Sequence, residues 1–192
     1  LSLLNTPSGY GALTKVLHWS IAGLFAFQYV AGHVMTRIGP DTVVAGASQG
    51  GLYNWHKSIG LVALLIAVVR IVNRRMGELP PWAETLSDGE RRFIHRAEQV
   101  LYIAMVAMPV SGFLYVMAGG YGVHVFGEWH LPNPIGSWPL VAFVARWVHI
   151  LTAWLLLGAI AGHVGLVLRH QFVLKDGLLA RMLPRGRRGD GD

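Results

Sequence analysis

The sequence predicts an all-α fold, an integral-membrane four-helix bundle with both termini cytoplasmic. Three observations predict it. Four apolar stretches approach or exceed the roughly 20 residues that a helix needs to cross the hydrocarbon core. The 192-residue chain is 53% hydrophobic and only 14% charged, against about 25% charged in soluble domains, which argues against a water-soluble enzyme. The basic residues flank the apolar stretches, as membrane topology requires.

The spans fall near residues 16–34, 53–71, 100–117 and 140–168 of a single 1–192 domain. The first is too long for a signal-peptide core and lacks a small-residue cleavage site, so it reads as retained. Loop 37–52 is glycine-rich, loop 74–92 carries Pro80 and Pro81, and loop 119–139 is rich in Gly, Pro and Trp. The fourth span is longer than a bilayer requires, so it tilts or projects beyond it. A polar tail, 184–192, follows.

Lys15 precedes the first span; Arg70, Arg74, Arg75, Arg91, Arg92 and Arg96 crowd the end of the second and the loop after it; and Arg169, Lys175, Arg181, Arg185, Arg187 and Arg188 follow the fourth. That places 13 of the 16 basic residues on one side and leaves Arg37, Lys57 and Arg146 for the other. By the positive-inside rule the richer side is cytoplasmic. The net charge of +6 is therefore read as topology. It does not form the basic, aromatic-interleaved stripe of a nucleic-acid binder. The absence of cysteine excludes disulfides, zinc-thiolate and iron–sulfur sites.

Ionisable groups inside a span are costly and mark function. His18, His56, His149 and His163 are such groups. With alternating helix directions, His18 and His163 share the inner level, and His56 and His149 the outer. The two histidines of the fourth helix are 14 residues apart, about 21 Å along the axis with a net rotation of only ~40°. Both can therefore face one core. Two facing pairs at two levels are what two bis-histidine haems require. Two zinc sites fit less well, because two histidines leave tetrahedral zinc short of ligands.

Arg70 and Arg74 lie 14 and 18 residues after His56, at the inner level, where a cation suits a haem propionate or a quinone carbonyl. Snorkelling explains Arg74 equally well. His170, two turns beyond His163, suits proton exchange with a quinone or is a polar residue where the helix leaves the membrane. His33, His95, His124 and His130 look unlike iron ligands, and the last two read as solvated loop residues. The methionines read as gap-fillers and most tryptophans as interfacial anchors.

The chain resembles the bacterial cytochrome b561 family, its superoxide oxidase branch in particular. The resemblance rests on Leu17-His18-Trp19, Asn54-Trp55-His56-Lys57-Ser58-Ile59-Gly60, Arg70 to Arg74, and His95. It continues through Met108-Pro109-Val110-Ser111-Gly112, Trp147-Val148-His149, His163, Lys175-Asp176-Gly177-Leu178-Leu179 and Met182-Leu183-Pro184. It implies that His18, His56, His149 and His163 are axial ligands of two haem b groups, that ubiquinone is the acceptor, and that the chain is a multi-pass protein of the bacterial inner membrane.

The expected function is a superoxide:ubiquinone oxidoreductase. Superoxide would approach the outer haem, steered by Lys57 and Arg146; interfacial anchoring is the alternative for that pair. Electrons would pass inward to quinone near Arg70, Arg74 or His170. The competing expectation is a haem-bearing membrane anchor relaying electrons between a dehydrogenase or hydrogenase partner and the quinone pool, and a third is a haem-free structural or transport protein.

Overall fold

The computed structural model describes residues 2–183, so the tail expected over 184–192 lies outside the described residues. Four long helices account for most of it: α1 (Ala12–Met35), α2 (Gln49–Met76), α3 (Asp88–Ala118) and α4 (Pro139–Arg169). Two short hairpins lie in the connections, β1 (Val43–Val44) with β2 (Ala47–Ser48), and β3 (His124–Val125) with β4 (Trp129–His130).

Each helix start has a local cause. Ser48 caps α2 by accepting from Gly51 N. Ser87 and Glu90 form a reciprocal capping box on α3, with Asp88 and Glu90 in the positive first turn of the helix dipole. This box starts α3 at Asp88, well before the apolar span expected from residue 100, and gives the helix a charged first part. Proline at the first position opens α4.

α1 packs along α2, α2 against α3, and α3 along α4, whereas α4 makes no comparably close backbone packing with α1 or α2 among the described residues. A seam thus runs between α4 and the α1–α2 pair. At mid-height it is closed by an apolar layer to which every helix contributes: Ile21, Phe25, Ala63, Ala67, Ala104, Met105 and Leu156. Outward-facing positions are large and apolar, among them Val30, Leu65, Ile103, Leu151 and Trp154, as a bundle solvated by lipid requires. Three helices, α2, α3 and α4 with its extension to Leu174, are long and apolar enough to cross a membrane. α1 has the length, but Lys15, His18, Gln28, Tyr29 and His33 dilute its apolar character.

The inner end is tied by charge. α4 runs into a π-helical turn, His170–Leu174, and Lys175 and Gly177 then take positive φ values of 55° and 75° to reverse the chain. His170 is fully buried. Its Nδ1 lies 2.5 Å from Asp176 Oδ2 and its Nε2 3.3 Å from Glu90 Oε1, while Arg169 also pairs with Glu90. The sequence left open whether His170 is an exposed exit residue; instead it is the centre of a buried cluster joining α3, α4 and the returning segment. That segment reaches α1, where Lys15 Nζ donates to Leu183 O and Trp19 Nε1 to Met182 O.

The hydrogen bond from His170 draws the Asp176 carboxyl down from its usual 3.8 to about 2. A carboxyl depressed by folding stabilises the fold above its unfolded pKa, and that contribution is lost as pH falls through the folded value. Hydrogen exchange of segment 176–183 is therefore expected to accelerate, after correction for intrinsic rates, as pH falls from about 4 toward about 2. Asp176→Asn should show the faster exchange already at neutral pH.

Candidate functional site

Four imidazoles occupy the seam in two pairs. His18 of α1 faces His163 of α4 with ring centroids 6.2 Å apart, and His56 of α2 faces His149 of α4, also at 6.2 Å. Imidazole–metal bonds of about 2.0 Å on either side of one shared metal put the ring centroids roughly 6 Å apart. The apolar layer separates the two pairs, Leu156 standing seven residues from each α4 histidine.

The outer pair is built around a socket in α3. Pro109 lies inside the helix, and the carbonyl of Met108 before it accepts from His149 Nδ1 at 2.8 Å and from Ser111 Oγ at 3.0 Å. A carbonyl partner puts the proton on Nδ1 and leaves the Nε2 lone pair outward, the usual second-shell arrangement of a metal-binding histidine. Gly112 supplies the space: a Cβ there would lie 2.9 Å from His149 Cε1. Across the seam Gly32 stands against His56 more loosely, at 3.5 Å, and Gln28 Nε2 donates to the His56 carbonyl. His56 Nδ1 and Gln28 Oε1 are buried without a hydrogen-bond partner.

The inner pair has a cation beside it. Arg70 Nη2 is 3.3 Å from His18 Nδ1, and its Nε and Nη1 are buried without partners. A guanidinium shielded from water with no acid beside it is costly, so this site favours an anion. Arg74 differs. Glu98 engages it through two contacts, at 2.8 and 2.9 Å.

The remaining candidates separate. Lys57 Nζ donates to Gly122 O, at 2.9 Å, which fastens the β3–β4 hairpin to α2. Ser58 Oγ accepts from Phe126 N beside it. Arg146 is exposed, lies over the Trp147 ring and lines an outer cavity of about 440 Å³ with Tyr115, Tyr121, Ser137 and Phe143. No acidic partner is within salt-bridge distance of Arg146 among the described residues. His33 pairs with Arg37 and His95 with Gln99, both at exposed positions.

Two contributors escaped sequence reading: the Met108 carbonyl and the Glu98 partner of Arg74. The Met108-Pro109-Val110-Ser111-Gly112 run was the available signal. Proline with a following glycine in an apolar helix marks a bent, thinned surface.

A model of the family described as prokaryotic cytochrome b561 matches residues 9–185. Cytochrome b561 homolog 2 of Escherichia coli K12 is 27% identical over 187 residues, 95% of both chains. Cytochrome b562 of Cereibacter sphaeroides is 30% identical over 181 residues, covering 94% of this chain and 98% of that one. A protein named probable superoxide oxidase CybB of Yersinia pestis is 27% identical over 132 residues, 69% of this chain and 74% of its own.

The glycine spacings order two substitutions. Gly112→Ala should disturb His149, and with it the optical spectrum of the loaded protein, more than Gly32→Ala disturbs His56. Equal spectra for the two variants would contradict the 2.9 Å socket.

Proposed function

The chain belongs to the prokaryotic cytochrome b561 family, and from that premise we propose a di-haem protein that oxidises superoxide at its outer face and reduces ubiquinone near its inner end. Membership makes it an electron-transfer membrane protein with haem b. The observation that carries the di-haem reading is the recurrence of one geometry at two levels, two facing imidazole pairs with equal 6.2 Å centroid separations.

The residues fit the group. His18 with His163 would hold an inner haem, and His56 with His149 an outer one. Held between two imidazoles, such a group would supply one-electron transfer. Met108 O holds the proton on His149 Nδ1 and so keeps Nε2 free for ligation. Arg70 would bind a propionate, its two unpartnered N–H groups being the donors such a carboxylate needs. Arg74 would act indirectly, since Glu98 already neutralises it.

At the outer face Arg146 attracts a small anion; it is exposed, and it lies three residues from His149. Lys57 contributes charge while anchoring the outer hairpin. At the inner end His170 supplies the proton-carrying group that quinone chemistry requires. Two superoxide ions release two electrons and leave as dioxygen; quinone takes those electrons with two protons to become quinol. His170 bridges Asp176 and Glu90 just past the end of α4, two turns beyond His163. The setting proposed is the bacterial inner membrane, with the arginine-rich ends of α2 and α4 cytoplasmic.

A reduced-minus-oxidised spectrum with a haem-to-protein ratio tests the cofactor reading. Two b-type haems per chain are expected, falling to one in His163→Ala; one per unmodified chain would overturn it. Stopped-flow reduction by superoxide tests the donor. Arg146→Gln is expected to slow it several-fold at low ionic strength, the difference shrinking as salt rises. A salt-independent rate unaffected by the substitution would remove the steering role.

A further inference from the structure

The two loop histidines are exposed, as expected of solvated surface groups, and they also form a register pair. His124 on β3 and His130 on β4 are directly opposed. Their rings stand with centroids 4.7 Å apart, and His130 Nδ1 is 3.3 Å from His124 Nε2. Two metal–imidazole bonds of about 2.0–2.1 Å meeting at a tetrahedral angle span roughly 3.3 Å between nitrogens, against about 2.9 Å for a square-planar centre. We propose that this pair is a surface site for a zinc-type divalent cation, held by His124 Nε2 and His130 Nδ1 and completed by two water molecules or outside ligands.

An imidazole–imidazole hydrogen bond at an exposed position competes with water and holds two rings together only weakly. The hairpin itself sets their separation. Gly127 N donates to His124 O, Glu128 N to Val125 O and Leu131 N to Val123 O, and Phe126 and Gly127 take positive φ values of 50° and 86° in the turn. The hairpin is also fastened to α2 through Ser58 and Lys57. Gly122 makes room for His130, since a Cβ there would lie 3.2 Å from its Cε1. The two donors are thus held near chelating distance before any ion arrives, which reduces the ordering cost of binding.

The ligand chemistry selects the ion. Imidazole suits zinc, copper and nickel, whereas magnesium and calcium require oxygen. No group of three or more His, Asp or Glu residues suited to a metal occurs among the described residues, so two coordination positions stay open. An ion bridging β3 and β4 would stiffen the hairpin that rests on α2 beside His56. The site does not depend on the haem reading.

The test uses the full-length, haem-loaded chain in detergent, purified without a polyhistidine tag. Calorimetric titration with zinc chloride near neutral pH is expected to saturate at one ion per chain. His124→Ala and His130→Ala should each weaken binding about tenfold or more, because each removes half of a chelate, while His33→Ala leaves it unchanged. In the unmodified chain, zinc should slow hydrogen exchange across 123–131, a readout that needs no variant to fold. With copper(II) as reporter, electron paramagnetic resonance should show two coordinated nitrogens, reduced by either hairpin substitution. Absence of zinc binding, binding that survives both substitutions, or unchanged exchange across the hairpin would each overturn the site.

Discussion

Polar side chains inside hydrocarbon must be satisfied by protein, and that constraint organises the bundle around its seam. Four imidazoles and a guanidinium lie where α4 stands away from α1 and α2. Close packing there would bury these groups against aliphatic side chains and forfeit their hydrogen bonding. A seam is also a loss of contact, made good only if something fills it. The apolar layer around Leu156 fills the middle and leaves two levels, each bounded by facing histidines.

The levels are satisfied differently. At the outer one the solution is neutral: a proline-containing helix offers its Met108 carbonyl to His149, and a glycine makes room for the ring. At the inner one a cation stands ready, Arg70, whose own Nε and Nη1 are buried without partners. Arg74, one turn away, shows what a completed pair looks like, for Glu98 occupies it from two directions. The contrast separates the two arginines more sharply than depth alone. A guanidinium already bound to a carboxylate has little left to offer a second, whereas Arg70 retains its demand for an anion.

Much of this was legible in the sequence because it depends on periodicity. A 14-residue interval on a helix returns to nearly the same face two levels away, so the pairing of His149 and His163 with partners at matching depth follows from numbering and helix direction. Hydrophobic run length located the four helices, but not the start of α3, where a capping box adds charged turns that no apolar window includes. Relations between segments distant in sequence were not legible. The Glu98 partner of Arg74, the Glu90 and Asp176 partners of His170, and the Met108 carbonyl all arise from packing. So does the opposition of His124 and His130, whose six-residue spacing has meaning only once the chain turns between them.

The two ends of the bundle follow from what each must hold. The inner end gathers helix α3, helix α4 and the returning segment around one buried histidine between two carboxylates. A break there exposes charge as well as backbone. The outer end is held without an ion pair among the described residues, by single hydrogen bonds involving backbone groups: a lysine on a carbonyl, a serine beneath a backbone amide, an asparagine donating to Met117 O. Such contacts are individually modest and easily exchanged for water. The outer hairpin is therefore the more lightly fastened end of the molecule, and the inner cluster the more heavily charged one. In the proposed reaction, a small anion on one side and a quinone on the other would meet these two ends separately.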